Sequence, residues 1–313
     1  MSNTIETAFV KQYTANIFHL SQQKGSRLRG YVRNESQRAE VEFFERLGAT
    51  SALEKLSRHS DTPLVNSQHS RRAVYMRDYE WADLIDKEDM VRTLIDPKNP
   101  YVMSAYSALG RTIDEVIIEA ALGNAIAGKE GSTPVALPAT QFVGAVDTSG
   151  TPAVSNLNVE TLIRIKSKFG VNDVDDSIPL HIAVTQAQID SLLNENKVTS
   201  ADYAAIKALV YGEVDTFMGF RFHRTQLLPL AGGAYTIDVN TGAVTLSTGN
   251  GDGARRAFAW AEDGLVFSVG KDMMGRISER DDKSYSTQVY ACGTWGATRL
   301  EEEKVVGVLC TES

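Results

Sequence analysis

The stretch Gly123-Asn124-Ala125-Ile126-Ala127-Gly128-Lys129-Glu130 comes close to the G-x-x-x-x-G-K-S/T loop, in which backbone N–H groups cradle phosphate and the lysine neutralises it. Two features argue against that chemistry. Glu130 stands where a hydroxyl should hold magnesium, and a carboxylate there repels phosphate. The loop also follows a helical pattern, whereas a phosphate loop follows a strand and opens a helix. A helix C-cap with a flexible exit is the better reading, and a nucleotide-binding enzyme using Gly123–Lys129 stays open as the less favoured alternative. Asp238-x-Asn240-x-Gly242 begins like a calcium loop, but the twelfth position is Gly249, so the bidentate glutamate is missing and a hairpin turn is expected. Gly249-Asn250-Gly251-Asp252-Gly253 reads as a mobile loop tip. His19, His59, His69, His181 and His223 never fall at H-x-H or H-x-x-x-H spacing, so a metal site would have to be assembled by the fold. Cys292 and Cys310 lie in apolar, strand-like stretches and read as small buried residues, not as a redox pair or a zinc site. No G-x-S-x-G elbow occurs. The expectation is therefore no catalytic residue, no cofactor and no metal.

The charged residues carry a clearer pattern. The 313-residue chain has a net charge of −8, the wrong sign for a dedicated nucleic-acid binder. Yet residues 1–33 hold Lys11, Lys24, Arg27, Arg29 and Arg33 against Glu6, a local +4. Residues 171–215 hold eight carboxylates against Lys197 and Lys207, a local −6. A basic head and an acidic middle can attract each other between copies. Hydrophobic content of 42% and charged content of 23% are ordinary globular values that exclude a fully disordered chain. No apolar run reaches the ~20 residues needed to span a bilayer, and the first residues predict no export signal.

The elements that must position these groups are α and β intermixed. Phe9, Val10, Tyr13, Ile17, Phe18 and Leu20 recur at roughly helical spacing until Gln22-Gln23-Lys24-Gly25-Ser26 breaks the pattern. Tyr31 to Arg72 is a long polar segment, too long for an ordinary loop and too polar for a core element. Val102, Ala105, Tyr106, Leu109, Ile113, Val116, Ile117 and Ala120 then predict an amphipathic helix over 98–122. It is opened by Asp96-Pro97 and Asn99-Pro100, stopped at Gly123, and ~35 Å long, a strut rather than a packing unit. Gly110 interrupts its pattern. Gly123 to Asn156 reads as an extended connector. A helix over Asn158 to Phe169, a strand over Leu180 to Val184, and helices capped by Thr185 and Ser200 follow. Strands are predicted at Gly219 to Arg224, in a hairpin through Tyr235–Val239 and Val244–Leu246, and at Phe258/Trp260, Leu265–Val269, Gln288–Ala291 and Val305–Cys310.

The order of these segments resembles the major capsid proteins of tailed bacteriophages, with the Hong-Kong-ninety-seven-like fold. The run Tyr203-Ala204-Ala205-Ile206-Lys207-Ala208-Leu209-Val210-Tyr211-Gly212, followed by Met218-Gly219-Phe220-Arg221-Phe222 and closing at Leu228-Pro229, is similar to that family's helix and "G-f-x-v" strand. The stretch from Lys271 to Cys310 is similar to its final strands, and Phe9 to Leu28 to its arm. The resemblance implies an α+β fold with an N-terminal arm at 1–33 and an extended loop at 34–72. It implies a peripheral domain at 73–150 and 255–313 carrying a spine helix at 98–122, and an axial domain at 151–254. It implies a coat protein that forms pentamers and hexamers of an icosahedral shell around double-stranded DNA, assembled in the host cytoplasm with a scaffolding protein, a portal and decoration proteins. An encapsulin-like protein compartment is the alternative within the same fold. Lys24, Arg27, Arg29, Arg33, Arg71 and Arg72 then become candidate inter-subunit or DNA-facing contacts, and Gly110 a candidate hinge in the spine helix. Some members cross-link a loop lysine; here the loop holds only Lys55, and no cross-link is carried over.

Overall fold

A computed structural model describes residues 22–55, 57–58, 61–62, 64–86, 98–148, 152–195, 216–231, 235–246 and 253–312. The helical patterns at Phe9–Leu20 and after Ser200, the Asp96-Pro97 signal and most of the Gly249–Gly253 tip lie outside the described residues. In chain order the first strands are β1 (Arg33–Ser36), β2 (Val41–Leu47), β3 (His69–Tyr75) and β4 (Arg77–Ile85). Helix α1 (Lys98–Leu122) follows, then β5 (Ala125–Ala127), β6 (Thr133–Val135), β7 (Phe142–Gly144), β8 (Val146–Asp147) and β9 (Ala153–Val154). The middle of the chain holds α2 (Val159–Val171), β10 (Leu180–Val184), α3 (Gln186–Asn194), β11 (Thr216–Phe217) and β12 (Phe220–Arg224). The last strands are β13 (Tyr235–Ile237), β14 (Val244–Leu246), β15 (Arg255–Ala261), β16 (Leu265–Arg280), β17 (Ser286–Arg299) and β18 (Val305–Cys310). No helix among the described residues is long and apolar enough to cross a membrane.

The chain divides into two compact units, one of residues 1–26, 78–112 and 271–294, the other of 27–77, 113–270 and 295–313. The larger unit is built on a six-stranded sheet, order β11-β12-β10-β15-β18-β7. Every residue of β18 is buried, as are the last five of β15. Such strands read as unbroken apolar runs because both faces of the sheet are covered. Leu162, Ile165 and Phe169 of α2 are buried, and Phe169 meets the Phe220 ring at 6.3 Å. Asn158 caps α2 by accepting from Thr161 N at 2.8 Å. Thr185 and Gln188 form a reciprocal capping box on α3, so the predicted cap stands.

Two sequence expectations are corrected. The polar segment does enter the core at its ends, because β2 and β3 pair antiparallel from Val41↔Tyr75 to Leu47↔His69. Within it Val32, Gln37 and Arg72 are buried, two of the three polar, so composition alone masks the burial. The connector after Gly123 is not a plain extension either. It folds into β5 and β6, which extend the loop sheet in the order β2-β3-β5-β6, and into β7 at the edge of the main sheet.

In the smaller unit, the outer parts of β16 and β17 run well beyond the apolar runs that announced them. β17 is fastened to β4 by polar pairs: Thr294 Oγ1 to Asp78 Oδ1 at 2.5 Å, Tyr290 OH to Glu80 Oε2 at 3.2 Å and Ser286 Oγ to Asp86 Oδ1 at 2.6 Å. β17 keeps a period of two, Val289 and Ala291 being buried between part-exposed neighbours, whereas β16 beyond Gly270 buries no residue and carries no period to read. Cys310 is buried as expected, and its burial pushes the thiol pKa far up. Cys292 is only half-buried, with Lys271 Nζ at 3.3 Å from its Sγ.

Candidate functional site

The basic residues of the arm emerge around a short backbone anchor. Asp114, on the helix and fully buried, accepts from Arg27 N at 3.1 and 3.0 Å and from Leu28 N at 3.1 Å. Two consecutive N–H groups held by one carboxylate fix the direction of the chain as it leaves the arm. The side chains stay outside. Lys24 and Arg27 are exposed, Arg27 donating to Arg224 O. Arg29 is half-buried with its guanidinium 5.7 Å from the Phe267 ring centroid, and exposed Arg33 pairs with Glu35 at 2.7 Å.

One helical turn earlier, Gly110 faces the arm backbone. A Cβ there would lie 2.5 Å from Gly25 Cα and 2.9 Å from Ser26 N. Beside it, Arg111 Nη1 donates to Gln22 Oε1 at 3.0 Å and Gln23 O at 3.3 Å. Alanine at 110 gains ~1 kcal/mol of helix propensity but forces backbone apart, which costs more than it gains, about 1–3 kcal/mol. Gly110→Ala is therefore expected to lower the melting temperature and to expose the arm to protease. A higher melting temperature with an unchanged digestion pattern would show that the close approach carries no weight.

The loop base is built from alternation. On β3, Arg71 points to the outer face and Arg72 inward. Arg71 lies 5.4 Å from the Phe43 ring centroid and 3.9 Å from Glu45. Arg72 corrects the sequence expectation of a surface contact: it is 4% exposed, and its guanidinium is bonded to Glu302. Arg46 also reaches Glu302, at 3.5 Å, and Arg299 lies 3.7 Å from it. Arg299, fully buried, caps the end of α1 by donating to Ala121 O and Gly123 O, both at 2.9 Å, and bridges to Val135 O at 3.1 Å. Burial pulls the Arg72 and Arg299 pKa values down, and Glu302 opposes that pull.

The phosphate-loop candidate is a β5–β6 hairpin. Gly128 and Gly131 take positive φ values of 95° and 67° to make its turn, and Lys129 and Glu130 are exposed on it. It neither follows a strand into a helix nor presents a helix N-terminus. Gly123 stops α1 as read, its N–H bonded to Glu119 O at 2.7 Å. Asp238 makes the expected hairpin turn, accepting from Asn240 N at 3.0 Å and Thr241 Oγ1 at 2.6 Å. No group of three metal-ligating side chains occurs among the described residues.

One histidine pair is assembled by the fold alone. Parallel pairing of β10 and β12 brings His181 Nδ1 within 3.1 Å of His223 Nε2. Tyr31 stacks over both, 4.1 Å from the His223 centroid and 5.2 Å from that of His181, and Trp260 Nε1 donates to Tyr31 O at 2.9 Å. The pair thus forms the seat on which the end of the arm rests at Tyr31. Neither it nor Glu302 was readable in sequence, since each brings together residues far apart in the chain. The one local signal was Asp114, a carboxylate beside the apolar stripe of a helix.

A family model described as phage capsid protein matches residues 5–312. Among solved structures, the capsid of cyanophage P-SCSP1u is similar at 14% identity and a TM-score of 0.71, covering 100% of this chain and 96% of that one. The capsid of Ralstonia phage GP4 is similar at 11% identity and 0.69, covering 98% and 96%. That of cyanophage Pam1 is similar at 14% identity and 0.66, covering 98% and 97%. No curated protein matches the sequence. At such identities the likeness to the solved structures is one of fold.

Proposed function

The chain belongs to the phage capsid protein family, and from that premise we propose that it is the major coat subunit that closes into pentamers and hexamers of an icosahedral shell around double-stranded DNA. The observation that carries this reading is a family match over nearly the whole chain together with a capsid fold over the same span. Its role is structural, without catalysis. The alternatives are not favoured: the matching family is that of phage capsids, and Lys129 sits in a hairpin turn. In this reading the subunits assemble in the host cytoplasm with a scaffolding protein and a portal, and decoration proteins are further partners. The exposed arm residues Lys24, Arg27 and Arg33, with Arg29, face neighbouring subunits or packaged DNA, and Gly110 lets the arm and helix shift together as the shell changes shape. Electron microscopy of the purified protein, expressed with its phage's scaffold, tests the reading. Closed shells are expected; a monodisperse monomer under those conditions would overturn it.

The extended loop is the part of this machinery that can be removed cleanly. Gly48 N donates to Gln68 O at 2.8 Å, so the two ends of the excursion already touch. Between them Leu53, Leu64 and Val65 are 61%, 96% and 47% exposed, apolar side chains that the described residues leave largely uncovered. A neighbouring subunit supplies the cover in this reading. Replacing 49–67 with a two-residue turn is expected to leave the melting temperature within a few degrees and to abolish shells, as sedimentation would show. Shells at the normal yield would contradict it.

A further inference from the structure

The outer face of the loop sheet is both basic and apolar. Glu45, His69, Ser70, Arg71, Gly128 and Lys129 line a cleft of about 510 Å³ between the β2–β3 hairpin and the β5–β6 turn. Lys129 is exposed, and Arg71 is held only loosely by Glu45. On the same sheet Leu47 is 63% and Tyr75 41% exposed. Elsewhere in the same unit, the turn after α2 shows the complementary combination. Val171 is 77% exposed, and Asp173, Asp175 and Asp176 are exposed beside it. The turn is shaped by its own bonds: Asp173 takes a φ of 51° and Asp175 Oδ1 accepts from Ser177 N at 2.9 Å. Those bonds also hold the Asp175 carboxyl below its usual range, so it is ionised wherever a shell would form.

We propose that the acidic turn Val171–Asp176 of one copy docks into the Arg71/Lys129 cleft of the next, as a head-to-tail contact. This rests on the reading of the chain as a shell subunit. Three arguments select a second copy as the occupant. Charge and apolar exposure match on both sides, the aspartates meeting the cations and Val171 meeting Leu47. The two surfaces differ, so their contact is heterologous, and a heterologous contact that closes makes rings of the capsomer kind. Glu45 on the rim disfavours a polyphosphate, whereas a short acidic turn leaves it at the edge.

The test is a charge exchange in the full chain, expressed with its scaffold, with assembly followed by sedimentation and microscopy. Arg71→Glu with Lys129→Glu should raise the concentration needed for assembly roughly tenfold or more, since each exposed pair is modest but is reversed and repeated. Asp173→Lys, Asp175→Lys and Asp176→Lys together should do the same. Circular dichroism should show both sets folded, because no altered side chain is buried, although Asp175→Lys gives up the bond from Ser177 N. The decisive sample carries both sets, in which the charges face each other again with signs swapped, and assembly should return to within about threefold of the unmodified protein. If either set alone assembles normally, or if the combined set stays defective, the contact is wrong while the shell reading stands. If the unmodified protein forms no shells at all, that reading fails, and the contact with it.

Discussion

Replacing Glu302 with alanine is expected to lower the unfolding free energy by about 3–5 kcal/mol, the range seen when one partner of a buried ion pair is removed. The reason is the imbalance around it. Arg72, Arg46 and Arg299 all converge on this one carboxylate, with Arg299 fully buried and Arg72 nearly so. Among the described residues Arg72 Nε and Arg299 Nε already lack hydrogen-bond partners. Without Glu302, Arg299 keeps only backbone carbonyls, and Arg72 loses its bonded carboxylate with Glu303 the remaining negative charge acting on it. The damage would reach beyond the cluster. Arg299 holds the last carbonyls of α1, and Arg72 sits in the strand that ends the extended loop, so the joint between helix and loop loosens together. Chemical denaturation of the unassembled subunit gives the measurement. Glu302→Gln should fall close to alanine, because the amide keeps shape but not charge. A loss below ~1 kcal/mol in both variants would mean that water or a neighbouring carboxylate replaces Glu302, and that the cluster is not closed.

How far the sequence reached explains why that cluster came as a surprise. Helix α1 was legible end to end because its signals are local: a 3.6-residue stripe, a proline at its start and Gly123 at its stop. The Thr185 cap and the Asp238 turn were legible for the same reason, each being a hydrogen bond across two or three residues. Strand β18 was legible because a strand buried on both faces has no polar residue to confuse it. The loop sheet was not. In β3, Arg71 and Arg72 look alike in sequence, and only the alternation of a paired strand sends one outward and the other to Glu302, 230 residues on. Charge alone marks the basic candidates of the arm and loop, and charge does not say which guanidinium is buried. Histidine spacing has the same limit. H-x-H and H-x-x-x-H are local patterns, while parallel pairing of β10 and β12 joins residues 42 apart.

That pair leads to the second large effect, a loss of stability on mild acidification. Burial holds both His181 and His223 down to about 4, and the Arg221 guanidinium adds to the depression. In the unfolded chain a histidine titrates near 6.5. Between those values the unfolded state binds more protons than the folded one, so stability rises with pH. The contribution is therefore complete above about 6.5 and lost as pH falls through 4, and a shift of this size on one histidine corresponds to about 3 kcal/mol. Protonation also has a definite structural target. The 3.1 Å bond requires one neutral acceptor nitrogen, so a doubly charged pair cannot keep it, and Tyr31 rests directly on both rings. The end of the arm around Tyr31 should lift as the pair separates, and Trp260, bonded to Tyr31 O, sits where its fluorescence would report the change. Urea unfolding from pH 7.5 to 4.5 should show the unmodified subunit weakening steadily. His223→Gln keeps a side chain able to hydrogen-bond but removes one titration, so its stability should depend less steeply on pH over the same window. Equal slopes in the two proteins would assign the acid sensitivity to carboxylates elsewhere. A flatter slope, with the fluorescence change abolished, would tie it to the histidines that seat the arm.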